Sequence, residues 1–152
     1  MASTGFIMVV PDFIGFGSSK KIMHTYYLEE TSALVVVDGL RAVRELINQG
    51  EISSDAELYL SGYSEGGYVA MAPHKYNEEN GFEYFNLEAS FPACGGYYMK
   101  GVRDFFFDQQ IHEPHYYMSY IAESFRTYYD IDTLWASQIF NETHAQRIIN
   151  IF

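Results

Sequence analysis

The chain has one cysteine, four prolines and one tryptophan in 152 residues, and nine basic side chains against twenty acidic ones. Each scarcity excludes something. Cys94 has no second cysteine in the chain to pair with, so no intrachain disulfide is possible. Within Phe91-Pro92-Ala93-Cys94-Gly95-Gly96 it reads as a buried, inert thiol at a strand end rather than a reactive one. A net charge of −11 with no Lys/Arg cluster repels a phosphate backbone, which argues against a nucleic-acid partner. No apolar run approaches the roughly 18 residues that a membrane span requires. Met1-Ala2-Ser3-Thr4-Gly5 leads into an apolar run without a basic leader segment, so no signal peptide is visible and the compartment stays unknown.

What is abundant is apolar and aromatic. Hydrophobic residues make up 48% of the chain, enough for a core, and 14 Tyr and 12 Phe supply most of the aromatic content. The length suits one domain rather than two. Gly5-Phe6-Ile7-Met8-Val9-Val10 reads as a buried strand stopped by Pro11, and Asp12-Phe13-Ile14-Gly15-Phe16-Gly17-Ser18-Ser19 as a loop. From Glu29 to Gln49, Val36, Leu40, Val43 and Ile47 recur every three to four residues, the period of a helix, and Gly50 supplies the stop. Glu57 to Ser61 predicts a second strand. Gly66 to Asn80 predicts a helix kinked at Pro73, and Phe85 to Phe91 a third strand. Strands alternating with helices imply a parallel sheet with crossover connections. Beyond Val102 no strand is convincing, and Tyr116–Tyr129 and Leu134–Ile151 read as helical.

Chemistry concentrates at Gly62-Tyr63-Ser64-Glu65-Gly66-Gly67, where the strand pattern runs directly into the helix pattern. A serine hydroxyl attacks poorly unless it is exposed, aligned with a base and set beside oxyanion donors. A sharp strand-to-helix turn provides the exposure, and glycines two residues either side of the serine leave room for the tight backbone. Gly62 and Gly66 hold those places, Gly67 adds clearance, and the backbone N–H of Glu65 begins a helix whose positive end favours a developing oxyanion. The bland alternative is a tight structural turn in an α/β protein.

These words, together with Gly5-Phe6-Ile7-Met8-Val9-Val10-Pro11-Asp12-Phe13-Ile14-Gly15-Phe16-Gly17-Ser18-Ser19 and Asp38-Gly39-Leu40-Arg41-Ala42, resemble the α/β-hydrolase superfamily, and within it bacterial esterases and secretory-lipase-like hydrolases. The resemblance implies a partial α/β-hydrolase core over residues 1–100 and an incomplete helical cap or lid over residues 101–152. It implies Ser64 as nucleophile of carboxylic-ester hydrolysis through an acyl-enzyme, Glu65 N–H as oxyanion donor, a small-molecule ester substrate, no cofactor and no metal. It is also compatible with a secreted or periplasmic protein.

The resemblance further implies an acid and then a histidine after Ser64 in chain order, and neither is identified here. It places one more strand between the Gly5–Val10 run and the elbow strand, and that strand is expected before Met1. The expectation is therefore a truncated portion of a longer hydrolase, with unpaired strands capable of self-association. The alternatives are a catalytically incomplete hydrolase-like scaffold and a peptidase of the same fold. His24 could approach the pocket rim, His74 should point away from the elbow, and His112, His115 and His144 read as surface or packing residues. Asp104, Asp108, Asp130 and Asp132 read as solvated charges. His112-Glu113-Pro114-His115 lacks the spacing of a zinc helix, Gly15-Phe16-Gly17-Ser18-Ser19-Lys20 lacks the order of a phosphate loop, and Asn141-Glu142-Thr143 matches only a short glycosylation pattern. The aromatic stretch from Tyr97 to Tyr129 suggests an apolar acyl or aryl pocket.

Overall fold

The computed structural model describes residues 2–108 and 116–131. Helix α1 spans Glu29–Asn48, with Glu29 and Glu30 in its first turn, where negative charge meets the positive end of the helix. Ala33, Val37 and Leu40 fall on one buried face. At the far end the N–H groups of Gln49, Gly50 and Glu51 bond to the carbonyls of Glu45, Ile47 and Leu46, and Gly50 takes the φ of +76° that this closure needs.

Strand β1 (Glu57–Tyr63), helix α2 (Glu65–Asn80) and strand β2 (Asn86–Ala93) form one strand–helix–strand unit. The two strands are parallel neighbours, with Leu60 opposite Ser90 and Tyr63 opposite Ala93. Helix α2 packs on both strands and against α1. The core lies between these layers, where Leu28, Leu40, Leu60, Val69, Ala70, Ala72 and Phe85 are buried. Pro73 is buried as well, and α2 continues through it as one helix. The missing N–H at Pro73 removes one helical hydrogen bond, and packing of the apolar ring in the core offsets that loss. The predicted parallel crossover architecture is thus present, and the strand ends move only a few residues from their expected places.

The Gly5–Val10 expectation needs correcting. Residues 6–13 form no strand ladder, and the sheet has two strands among the described residues. Phe6 is 54% exposed and Val10 83% exposed. A β-strand exists only through hydrogen bonds to a neighbour, and none reaches this run. It touches the fold through side chains instead. The Phe6 ring meets Tyr59 of β1 edge-on at 6.0 Å, and Val9 and Pro11 lie over Gly39 of α1. Cys94 is the second correction. It follows the last residue of β2 at φ +55° and is exposed, because the chain turns outward where the sheet ends.

Beyond the sheet come helices α3 (Met99–Phe107) and α4 (Tyr116–Tyr128), which match the helical reading of that region. Helix α4 is tied to the core by Tyr128, whose hydroxyl donates to Glu30 of α1 at 2.6 Å. Within α4, Arg126 forks onto the buried Glu123 at 2.7 and 2.5 Å. His112, His115, Asp132, Asn141-Glu142-Thr143, His144 and the helical reading of Leu134–Ile151 lie outside the described residues. Among the described residues no helix is long and apolar enough to cross a membrane.

Candidate active site

Parallel strands end side by side, and the C-terminal end of such a sheet is where an α/β protein exposes its reactive groups. Here β1 ends at Tyr63 and α2 begins at Glu65, so a single residue makes the turn. That residue is Ser64, at φ 56° and ψ −120°. The combination lies outside the left-handed helical well and costs a non-glycine residue roughly 1–3 kcal/mol. Surrounding backbone holds it there. Ser64 N–H donates to the Ala93 carbonyl at 2.8 Å, and the Ser64 carbonyl accepts from Gly67 and Tyr68 at 3.0 and 3.2 Å. Its hydroxyl does not cap the helix, although serine at this position commonly does. The side chain is exposed.

The neighbouring glycines differ in what they allow. A Cβ on Gly62 would lie within contact-violating range of the Gly66 carbonyl carbon (2.2 Å) and of Gly67 N (2.9 Å). A Cβ on Gly67 would meet the carbonyl oxygen of Ala93. A Cβ on Gly66 would enter open space. The close backbone approaches therefore fall at Gly62 and Gly67, and Gly66 has no steric duty among the described residues. Tyr63 is exposed beside the turn. Glu65 N–H, at the first position of α2, has no backbone partner among the described residues and is oriented by the helix start.

The Glu65 side chain, in contrast, is engaged. Its Oε1 lies 2.5 Å from Nε2 of His24, whose Nδ1 lies 2.6 Å from the Ile14 carbonyl. His24 is only 4% exposed and sits among the rings of Phe13, Phe16, Tyr26 and Tyr120. The sequence points to a surface or packing histidine near the pocket rim, and the structure buries it. Its link to Glu65 has no local signature, since 41 residues separate the two. His74 bonds to Ser90 at 2.8 Å and to Glu78 at 3.2 Å, so it serves the middle of α2 and β2. Both described histidines thus have their ring nitrogens committed away from Ser64. Asp104 pairs with Arg103, while Asp108 and Asp130 are exposed. Among the described residues no group of three or more His, Cys, Asp or Glu could hold a metal ion.

A tyrosine cluster stands beside this turn. Tyr26 and Tyr27 meet edge-on at 4.6 Å, Tyr27 reaches Tyr68 at 4.8 Å, and Tyr26 reaches Tyr120 at 5.3 Å. Burial pushes the Tyr68 phenol up to about 12, and burial followed by nearby Tyr27 and Glu65 pushes Tyr26 up further. A folded-state value above the unfolded one favours the neutral phenol in the fold. The resulting stability is present below pH 10 and is lost as pH rises through about 12. Denaturant midpoints are accordingly expected to fall across that alkaline window, and Tyr68→Phe should flatten the fall. An unchanged pH profile in the variant would remove Tyr68 from this account. A cavity of about 140 Å³ lies elsewhere, bounded by Val37, Leu40, Arg44, Tyr76, Phe82 and Tyr84. It sits at the C-terminal end of α2, roughly 18–24 Å along the helix from Ser64.

The secretory lipase family profile matches residues 1–77, slightly more than half of the chain. A 1.15 Å crystal structure from Legionella pneumophila, assigned as a hydrolase, is similar at TM-score 0.85 and 26% identity over 97% of this chain. Two single-site variants of the rice cell wall degrading esterase LipA from Xanthomonas oryzae are similar at TM-scores of 0.76 and 0.77, each at 26% identity, over 90% and 92% of this chain. The chain spans 39%, 36% and 38% of those three structures. No curated protein matches it in sequence.

Proposed function

The chain belongs to the secretory lipase family, and from that premise we propose that it forms the Ser64-bearing part of an ester hydrolase working through an acyl-enzyme. The observation that carries the reading is Ser64 itself. It is an exposed serine held at φ 56° and ψ −120° between a parallel strand and a helix, with its hydroxyl left out of the helix cap. A strained, exposed serine at a helix start is the placement that nucleophilic attack on a carbonyl requires.

In the proposed reaction Ser64 Oγ bonds to the ester carbonyl carbon as its proton passes to a general base. The carbonyl oxygen takes up the electron pair and is stabilised by Glu65 N–H and the positive end of α2. Collapse expels the alcohol, which takes the proton, and leaves the acyl group on Ser64; water then releases the acid. The described histidines are engaged elsewhere, so the base and its acid partner are assigned to residues outside 2–108 and 116–131. The aromatic stretch from Tyr97 to Tyr129 is proposed to line an apolar acyl or aryl pocket under a cap formed within residues 101–152.

A fluorophosphonate probe is expected to phosphonylate the full-length protein on the peptide that contains Ser64, as read by mass spectrometry. Labelling confined to another residue would end the assignment. The specific observation favouring a second reading, a non-catalytic hydrolase-like scaffold, is that no base lies at Ser64 Oγ among the described residues. Assay of the full-length protein on short p-nitrophenyl esters, with Ser64→Ala beside it, separates the two, since a scaffold gives no Ser64-dependent turnover.

A further inference from the structure

We propose that the His24–Glu65 bridge is a positioning device for the oxyanion donor, clamping the first peptide of α2 to the loop formed by residues 13–19. The proposal rests on the reading of Ser64 as nucleophile. Glu65 is one residue with two tasks: its backbone N–H faces the reacting oxygen, and its side chain is held by a histidine 41 positions away. Whatever fixes the side chain restricts rotation of the Ser64–Glu65 peptide that carries the N–H.

The clamp is anchored at both ends. Nδ1 of His24 donates to the Ile14 carbonyl at 2.6 Å, so Nε2 and Oε1 of Glu65 need a proton between them to bond at 2.5 Å. The loop behind Ile14 is itself braced. Gly15 N–H donates to Ser19 Oγ at 3.0 Å, and that hydroxyl donates to the Phe16 carbonyl at 2.8 Å. Gly15 takes φ +95° and passes so close to His24 that a Cβ there would lie 2.6 Å from the His24 Cα. The imidazole stacks on Phe13 at 6.0 Å and meets Phe16 edge-on at 4.9 Å. It is buried against these rings, which hold it beside Glu65. Beside the pair, Val35, Val69, Thr31 and Ser32 help to line a void of about 10 Å³, too small to admit substrate. The bridge therefore acts on the oxyanion donor from behind, without touching the reacting ester.

An interaction that aligns a transition-state donor changes kcat and leaves substrate binding alone. Glu65→Ala in the full-length protein is expected to lower kcat about 10- to 100-fold with KM within about twofold of the parent. Glu65→Gln, whose amide still bridges a neutral His24, is expected to restore kcat to within about threefold. His24→Ala should match Glu65→Ala, and the double variant should be no worse than either single one, because both sever one link. If His24→Ala does not fold by circular dichroism, the two Glu65 variants carry the test. A parental kcat in Glu65→Ala, a loss confined to KM, or a Glu65→Gln variant as impaired as Glu65→Ala would overturn the clamp. Ser64→Ala run in parallel separates the failures. Full hydrolysis in that variant overturns the nucleophile reading and the clamp with it, whereas an inactive Ser64→Ala beside a fully active Glu65→Ala overturns the clamp alone.

Discussion

Replacing Ser64 by alanine is expected to lower ester hydrolysis by about 10⁴-fold or more while leaving the fold intact. The size follows from what is removed. In the proposed reaction the acyl-enzyme cannot form without Oγ, and only oxyanion stabilisation and binding remain to assist direct attack by water. Stability should hold because the variant keeps its Cβ and the same backbone. The bonds from Ser64 N–H to Ala93 and from Gly67 and Tyr68 to the Ser64 carbonyl are all main-chain. The hydroxyl makes no cap bond whose loss would weaken α2. Steady-state kinetics in the full-length protein, with a thermal melt alongside, provide the measurement. A variant that retains parental turnover would show that another group attacks the ester.

Gly62→Ala is expected to cost about 3 kcal/mol or more and to abolish activity together with stability. Its new Cβ would collide with the carbonyl carbon of Gly66 at 2.2 Å and approach Gly67 N at 2.9 Å. Both are backbone atoms in the first turn of α2, so no rotamer change relieves the overlap and the helix start must move away from β1. Gly67→Ala pushes the same turn off the end of β2, against the Ala93 carbonyl. Gly66→Ala is the internal control. Its Cβ meets nothing within 4 Å, and alanine is the better helix former by about 1 kcal/mol. Urea unfolding of the three variants should therefore separate Gly62 and Gly67 from Gly66. Equal losses at all three would mean that the steric account of this turn is wrong.

Much of the architecture was legible because it is local. Apolar spacing through Val36, Leu40, Val43 and Ile47 marks a helix, although the face it buries runs through Ala33, Val37 and Leu40, and Leu58-Tyr59-Leu60 running into Gly62 marks a strand that ends in a turn. The Gly62–Gly67 word places the candidate serine for the same reason, since its requirements lie within six residues. Phe6 to Val10 departs from the strand pattern because an apolar run reports a need for burial and not the presence of a pairing partner. The described fold leaves those residues substantially exposed. Cys94 departs from the buried expectation for a similar reason: its neighbours suggest a strand end, while its exposure depends on where the chain turns after β2. Gly66 and Gly67 exchanged their expected importance, because clearance is set by the position of Ala93 on the adjacent strand.

The sequence by itself determined the strand–helix–strand unit and the residue placed at its turn, which follow from short-range periodicity and glycine chemistry, while its resemblance to the α/β-hydrolases is carried by the Gly5–Ser19 and Gly62–Tyr68 words. Only the tertiary structure decided that Ser64 takes a strained φ and ψ, that Gly67 must pass the end of β2, and that His24 closes on Glu65. Those features depend on atoms brought together from distant parts of the chain, and a hydrogen bond across 41 residues leaves no periodic trace in the order of amino acids.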